Sequence, residues 1–252
     1  MNAAQASDTW RVAALSMMSP QELRALLSGG DAAAWVEAAA ACRMPEAQVR
    51  LGRMQLEGQG IAQDRQAAFA CFLCAAEAGD ADAQNMLGRC YENGWGTAQD
   101  FPRAAALYRL AAETGLSWAQ YNLGHLMLDG LGTPRNRNAA FLWYMRAATQ
   151  GHERAMNLVA RCFEQGWGVP HDLASARNWY KKSAEGGYFR GAYNYATILA
   201  GEGCGAGALR WFKKALDTAP EPTRSTIASA MREHPEARVR ALVENSATLS
   251  SS

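Results

Sequence analysis

Six cysteines, four histidines and a recurring column of carboxylates are the residues of this chain that could do chemistry. Cys71 and Cys74 form a C-x-x-C, the spacing of many zinc sites and of thiol–disulfide exchange. A zinc site needs a second Cys or His pair at ligand spacing, and none follows. Cys71 shares its repeat phase with Leu107, Trp143 and Trp179, so it reads as packing bulk. Cys90 and Cys162 occupy equivalent positions two repeats apart, too distant for a disulfide, which needs Cα atoms within about 7 Å. His125, His152, His171 and His234 lie far from one another and from carboxylates at ligand spacing. No nucleophile–base arrangement and no phosphate-cradling glycine loop at a strand–helix junction can be read. The expectation is a chain without catalytic residues, metal or cofactor, and so not an enzyme.

The carboxylates have another use. Asp64, Asp100 and Asp172, with Asn136 in the same column, stand just before an apolar helical pattern. Asp and Asn there accept hydrogen bonds from the open amides of a first helical turn. They predict helix caps.

The helices that these caps begin recur every 36 residues. Gly52, Gly88 and Gly124 share a phase that Ala160 continues; Gly58, Gly94, Gly130 and Gly166 share another. Gly60, Gly96, Gly132 and Gly168 form a third column, and Gly79, Gly115, Gly151 and Gly187 a fourth. Each unit carries two helical stripes. One is Ala83, Leu87, Gly88, Tyr91; the other is Ala104, Tyr108, Ala111, Ala112, both at i, i+4 and i+7 or i+8 spacing. The G-x-G pair predicts the stop of the first helix, since glycine adopts the left-handed conformation that ends helices. Gly88 and its equivalents lie inside a helix at a cost of about 1 kcal/mol. That predicts close approach of a second helix, with the alanine column on the other side.

Four full units span 45–80, 81–116, 117–152 and 153–188, and a fifth, 189–220, is four residues shorter. The shortening falls between Ala200 and Trp211, and the fifth unit lacks the cap, which predicts a tighter turn. Residues 1–44 read as an N-terminal helical cap with a partial repeat, 221–245 as C-terminal capping helices, and 246–252 as a disordered tail.

The A-x-x-x-L-G of Ala83–Gly88, the G-x-G of Gly94–Gly96, Asp100 and the Tyr108–Ala112 segment resemble the Sel1-like repeat family, a relative of the tetratricopeptide repeats. The resemblance implies an all-α fold, a right-handed α-α superhelix or solenoid of antiparallel helix pairs. It also implies an adaptor whose concave groove is lined by the first helix of each pair. The chain is similar, too, to small bacterial Sel1-type proteins encoded near iron-uptake receptors and Fe(II)/2-oxoglutarate hydroxylases, which implies an accessory role without iron binding. Some secreted members carry paired cysteines in every repeat and are proposed to bind cell-wall precursors, a pattern this chain lacks. A small-molecule or cell-wall-precursor binder or hydrolase is the alternative.

Composition fits a partner protein. Hydrophobic residues make up 49% and charged residues 19% of the chain, and the net charge is +1. That balance argues for a globular chain and against general nucleic-acid or acidic-membrane binding. The charge is polarised: residues 1–126 carry −4 and residues 127–252 carry +5. No run of about 20 apolar residues predicts membrane insertion, and no basic-then-apolar start predicts export. With six cysteines, the expectation is reduced thiols and a cytoplasmic protein.

Helical phase nominates the groove. Val49, Asn85, Tyr121, Asn157 and Tyr193 lie two residues before the Leu column; Arg53, Arg89, His125, Arg161 and Thr197 lie two after. Both sets are expected to point away from the core. Glu46, Asp82, Trp118, Arg154 and Arg190 form a third column that changes from acidic to basic. The candidate partner-binding residues are Asn85, Arg89, Trp118, Tyr121, His125, Asn157, Arg161 and Tyr193. Arg would fork onto carboxylates and Asn would hold peptide amides. Trp95 and Trp167, each inside G-W-G, either pack over the helix pair or serve as exposed anchors.

Overall fold

Thirteen residues of helix, a loop, and thirteen more make up each of the four full repeats, as the glycine and cap columns require. The computed structural model describes residues 32–41, 44–234 and 239–240. Residues 1–31 of the expected N-terminal cap and the expected tail 246–252 lie outside them. The described residues form twelve helices, in two compact units divided between Arg135 and Asn136. The first unit holds α1 (Ala32–Ala41), α2 (Pro45–Glu57), α3 (Arg65–Glu77), α4 (Ala81–Asn93), α5 (Phe101–Glu113) and α6 (Ser117–Asp129). The second holds α7 (Arg137–Thr149), α8 (Glu153–Gln165), α9 (Leu173–Glu185), α10 (Phe189–Gly201), α11 (Gly205–Thr218) and α12 (Thr223–Arg232). The unit boundary therefore falls inside the third repeat, between its two helices.

The backbone chemistry follows the columns. Gly58, Gly94, Gly130 and Gly166 sit at φ between 65° and 76° and close their helices. Behind Gly94 the Trp95 amide donates to the Cys90 carbonyl at 2.9 Å, and Trp167 repeats this onto Cys162 at 2.9 Å. Both bonds fill carbonyls that a helix end leaves open. Asp64, Asp100, Asn136 and Asp172 all accept amides of the following turn, as expected. The amides of Asp64, Asp100 and Asp172 return across the loop, as from Asp100 to Tyr91 at 2.9 Å. The Gln99 side chain adds a bond to the Glu92 carbonyl at 2.7 Å, and Gln63 does the same to Leu56 at 2.8 Å. In the fifth repeat only residues 202–204 join α10 to α11, and Cys204 makes no side-chain cap bond.

The helical glycine faces a different partner from the expected one. A Cβ on Gly88 would stand 2.7 Å from the Tyr108 ring, and one on Gly52 would stand 2.7 Å from the Phe72 ring. The aromatic column of the second helix, not its alanines, lies against the glycine. Burying a large ring between two helices demands a missing side chain opposite. The alanines serve the next contact instead: Ala75 packs with Ala83 of the following repeat and with Val49. Phe72, Tyr108, Tyr144, Tyr180 and Phe212 are the largest fully buried side chains among the described residues. Each contributes roughly 1.5–3 kcal/mol through apolar burial.

Two of these rings carry a further bond. The Tyr108 hydroxyl donates to Glu92 Oε2, and that of Tyr180 to Glu164 Oε2 at 2.8 Å. Burial, reinforced by the carboxylate, raises both phenols far above their usual range, so each stays a donor. Opposite Phe72, which has no hydroxyl, the equivalent of Glu92 is Leu56, packed into the same cluster. At the C-terminal side Ile227 and Met231 of α12 join the core that Phe212 anchors.

Candidate functional site

First helices present three columns, and the structure separates them by accessibility. Asn85 and Asn157 are each only 5% exposed. They do not point away from the core, as helical phase suggested. Asn122 of α6 donates through Nδ2 to Asn85 Oδ1 at 2.9 Å, and Asn194 of α10 does the same to Asn157 at 2.9 Å. This column faces the first helix of the next repeat, so its polar groups are consumed internally. Val49 in the same column is buried as well. Tyr193 is half-buried and meets the Phe212 ring at 5.5 Å. Asn85 and Asn157 therefore link neighbouring repeats, which leaves no exposed amide for a peptide.

The other two columns remain accessible. In the first unit Glu46, Asp82 and Trp118 are exposed, as is Arg53, which pairs with Asp82 at 3.5 Å. In the second unit Arg154, Arg161 and Arg190 are exposed. Half-buried Arg89 and exposed Arg161 do not hang free of the surface. Arg89 lies over the Trp95 ring at 5.1 Å, and Arg161 over Trp167 at 5.1 Å. Each such contact is worth about 0.5–1 kcal/mol. Trp95 also packs against the cluster of Phe72 and Leu87. Trp95 is thus a packed residue that also meets an arginine, and Trp167 is half-buried under Arg161.

Trp118, Tyr121 and His125 form a continuous row on α6. Tyr121 meets Trp118 edge-on at 6.2 Å and His125 at 4.7 Å. Trp118 is 42% exposed although it is large and apolar. One turn of helix separates successive members, so the row follows from i, i+3 and i+7 spacing on one element.

The potential chemistry of the thiols and imidazoles is muted by position. Burial pushes Cys90 up to about 11 and Cys162 up to about 12. Burial and then the neighbouring Cys74 raise Cys71. His152 is buried, and its Nδ1 accepts from the Ala155 amide at 3.1 Å, capping α8. Burial lowers its pKa, which keeps the acceptor nitrogen unprotonated. Sequence reading missed this cap and that of Asp80, which accepts from Ala83 at 2.7 Å. Their shared repeat phase was the available signal. It also missed the Tyr–Glu pairs, whose members recur together two repeats apart. Among the described residues no group of three or more His, Cys, Asp or Glu could hold a metal ion, and no helix is long and apolar enough to cross a membrane.

Helix pairs of one length, closed by paired glycines, capped by Asp and stacked through small residues, define a tetratricopeptide-related helical repeat protein. The Sel1 repeat pattern matches residues 45–80, 81–116, 119–152, 153–188 and 206–217. The chain belongs to the Sel1 repeat family. It is similar to a Sel1 repeat protein from Oxalobacter formigenes, with 26% identity and a TM-score of 0.76 over 91% of this chain and 99% of that one. It is also similar to c5321, a protective antigen with the same fold from uropathogenic Escherichia coli, with 26% identity and a TM-score of 0.69. That match covers 99% of this chain but 55% of the antigen, so this chain spans about half its length. The immunity protein Pa5087 from Pseudomonas aeruginosa shares the fold at 16% identity and a TM-score of 0.54, over 80% of each chain. A comparison with curated proteins found no match.

Proposed function

We propose that this Sel1 repeat protein is a cytoplasmic, non-enzymatic scaffold that holds a partner protein, as an extended segment, on the exposed columns of its first helices. The row Trp118–Tyr121–His125 carries the reading. A half-exposed tryptophan braced by the Tyr121 ring, which itself rests on His125, costs little entropy to engage and offers a large contact area. Arg89, over the Trp95 ring in the first unit, and Arg161, over the Trp167 ring in the second, would each add forked contacts to partner carboxylates. In the accessory role beside iron-uptake receptors or Fe(II)/2-oxoglutarate hydroxylases, the chain would hold such a protein rather than its iron. A photo-crosslinking residue in place of Trp118 tests the reading in cells of the native organism. It should join one partner in high yield, and the same residue at Leu110, exposed on α5, should not. Arg89→Ala with Arg161→Ala should weaken capture at unchanged helicity. Equal crosslinking from both positions would sink the proposal.

A further inference from the structure

In three successive repeats the second glycine of the G-x-G loop closes onto the start of the second helix of the repeat before it. A Cβ on Gly96 would run into the Arg65 carbonyl, one on Gly132 into the Phe101 backbone, and one on Gly168 into the Arg137 backbone. Arg65, Phe101 and Arg137 are the first residues of α3, α5 and α7. Each of these helix starts is covered by a loop whose residue between the glycines is Trp95, Leu131 or Trp167.

The start of α9 is the exception. The loop that would cover it belongs to the fifth repeat, where residues 202–204 are all that remain between helices. Leu173, in the column of Arg65, Phe101 and Arg137, is 56% exposed. Beside it opens a cavity of about 670 Å³ lined by Leu173, Ala174, Arg177, Ile198 and Glu202. Arg177 stands in the column of Phe69 and Phe141, whose rings pack edge-on against Tyr91 and Phe163 at 5.5 and 5.4 Å. Here it lies over the Tyr195 ring at 5.7 Å and pairs with Glu202 at 3.1 Å. The notch therefore has an apolar wall of Leu173, Ala174 and Ile198 beside two charges that are already paired.

We infer that this notch docks a loop of a partner protein that carries a glycine–apolar–glycine sequence. Such a loop takes the place that the fifth repeat's own loop leaves open. The three covered helix starts fix the chemistry of the occupant. It needs a glycine without Cβ to approach the first turn of α9, in the left-handed conformation that Gly96, Gly132 and Gly168 adopt. It needs an apolar side chain to lie over Leu173 and Ile198, and no net charge. The site shares no residue with the first-helix columns proposed above.

The probe is a blocked, fluorescently labelled peptide of residues 165–172, the loop that covers Arg137 in the intact chain. The full chain should bind it saturably in anisotropy titrations. Leu173→Arg, a surface change that leaves the circular dichroism spectrum unaltered, should weaken binding at least tenfold. A peptide with Gly168→Val should weaken it equally. Replacing residues 202–204 by the sequence of 166–172 should close the notch from within and abolish binding. No saturable binding by the intact chain, or binding that survives Leu173→Arg or the graft, overturns the inference. So does a concentration-dependent dimer dissolved by Leu173→Arg, which assigns the notch to a second copy. Peptide binding that emerges only after removal of residues 241–252 overturns it as well, assigning the notch to the chain's own end.

Discussion

Replacing Tyr108 by Phe and Glu92 by Leu, singly and together, tests how each helix pair is tuned. The Tyr108 ring is fully buried, and its hydroxyl reaches the half-buried Glu92 carboxylate. Glu92→Leu leaves a buried hydroxyl without its acceptor, which costs about 2 kcal/mol. Tyr108→Phe removes the same bond but leaves a carboxylate that water can reach, at a cost of about 1 kcal/mol. The double variant recreates the Phe72–Leu56 pair of the first repeat, with no polar group to satisfy. Its loss should be at most about 1 kcal/mol, so the coupling between the two sites should be about 2 kcal/mol. Urea unfolding followed by far-ultraviolet circular dichroism measures the three values. Amide exchange in α4 and α5 locates them, because stability in repeat proteins is a sum of local terms. Losses that simply add in the double variant would refute the claim that hydroxyl and carboxylate act as one unit.

Three further outcomes are expected. His152 has a folded pKa lowered from 6.5, so the unfolded chain binds a proton more readily below that value. Stability should hold above pH 6.5 and fall as pH drops through 6.5 toward the lower folded value, and His152→Asn should remove this dependence in denaturation midpoints measured across pH. Gly79→Ala, at φ 86° with open space around it, should cost only about 1–2 kcal/mol of backbone strain. Gly96→Ala, at φ 71°, adds collision with the Arg65 carbonyl and should cost at least about 3 kcal/mol, read from the same melts. Exposed Cys204 should alkylate with iodoacetamide within minutes at pH 8, while buried Cys90 and Cys162 stay unmodified until the chain is unfolded, as peptide mass spectrometry will report.

The repeat, the helix stops and the Asp caps were legible in the sequence because each encodes a backbone conformation that its neighbours do not alter. A glycine at φ near 70° or an Asp before a first turn means the same thing in any context. Trp118, Tyr121 and His125 were singled out in three separate columns, and their ring contacts along one helix follow from helical phase alone. Asn85 and Asn157 were misread because their fate depends on how far one repeat rotates against the next. No single-helix pattern carries that angle. The helical glycine was correctly read as a close contact, yet its partner was misassigned: smallness marks where something must approach, not which side chain does. The cap at His152 was overlooked because imidazole seldom takes that role, although Asp80 in the same phase pointed to it.

The asparagine bridges restrict how this chain could grow or shrink. Each bridge spans two repeats, with its acceptor in one and its donor one position further along the next. Cutting out 117–152 alone would bring Leu158 to the place of Asn122 and strand Asn85 without its donor in a dry setting. Cutting out 81–152 would remove one bridge entirely and leave the Asn194–Asn157 bridge intact. Among the bridged repeats, viable deletions should therefore remove both partners of a bridge together. Though helices are shaped in steps of 36 residues, the quantum of deletion there is a doublet.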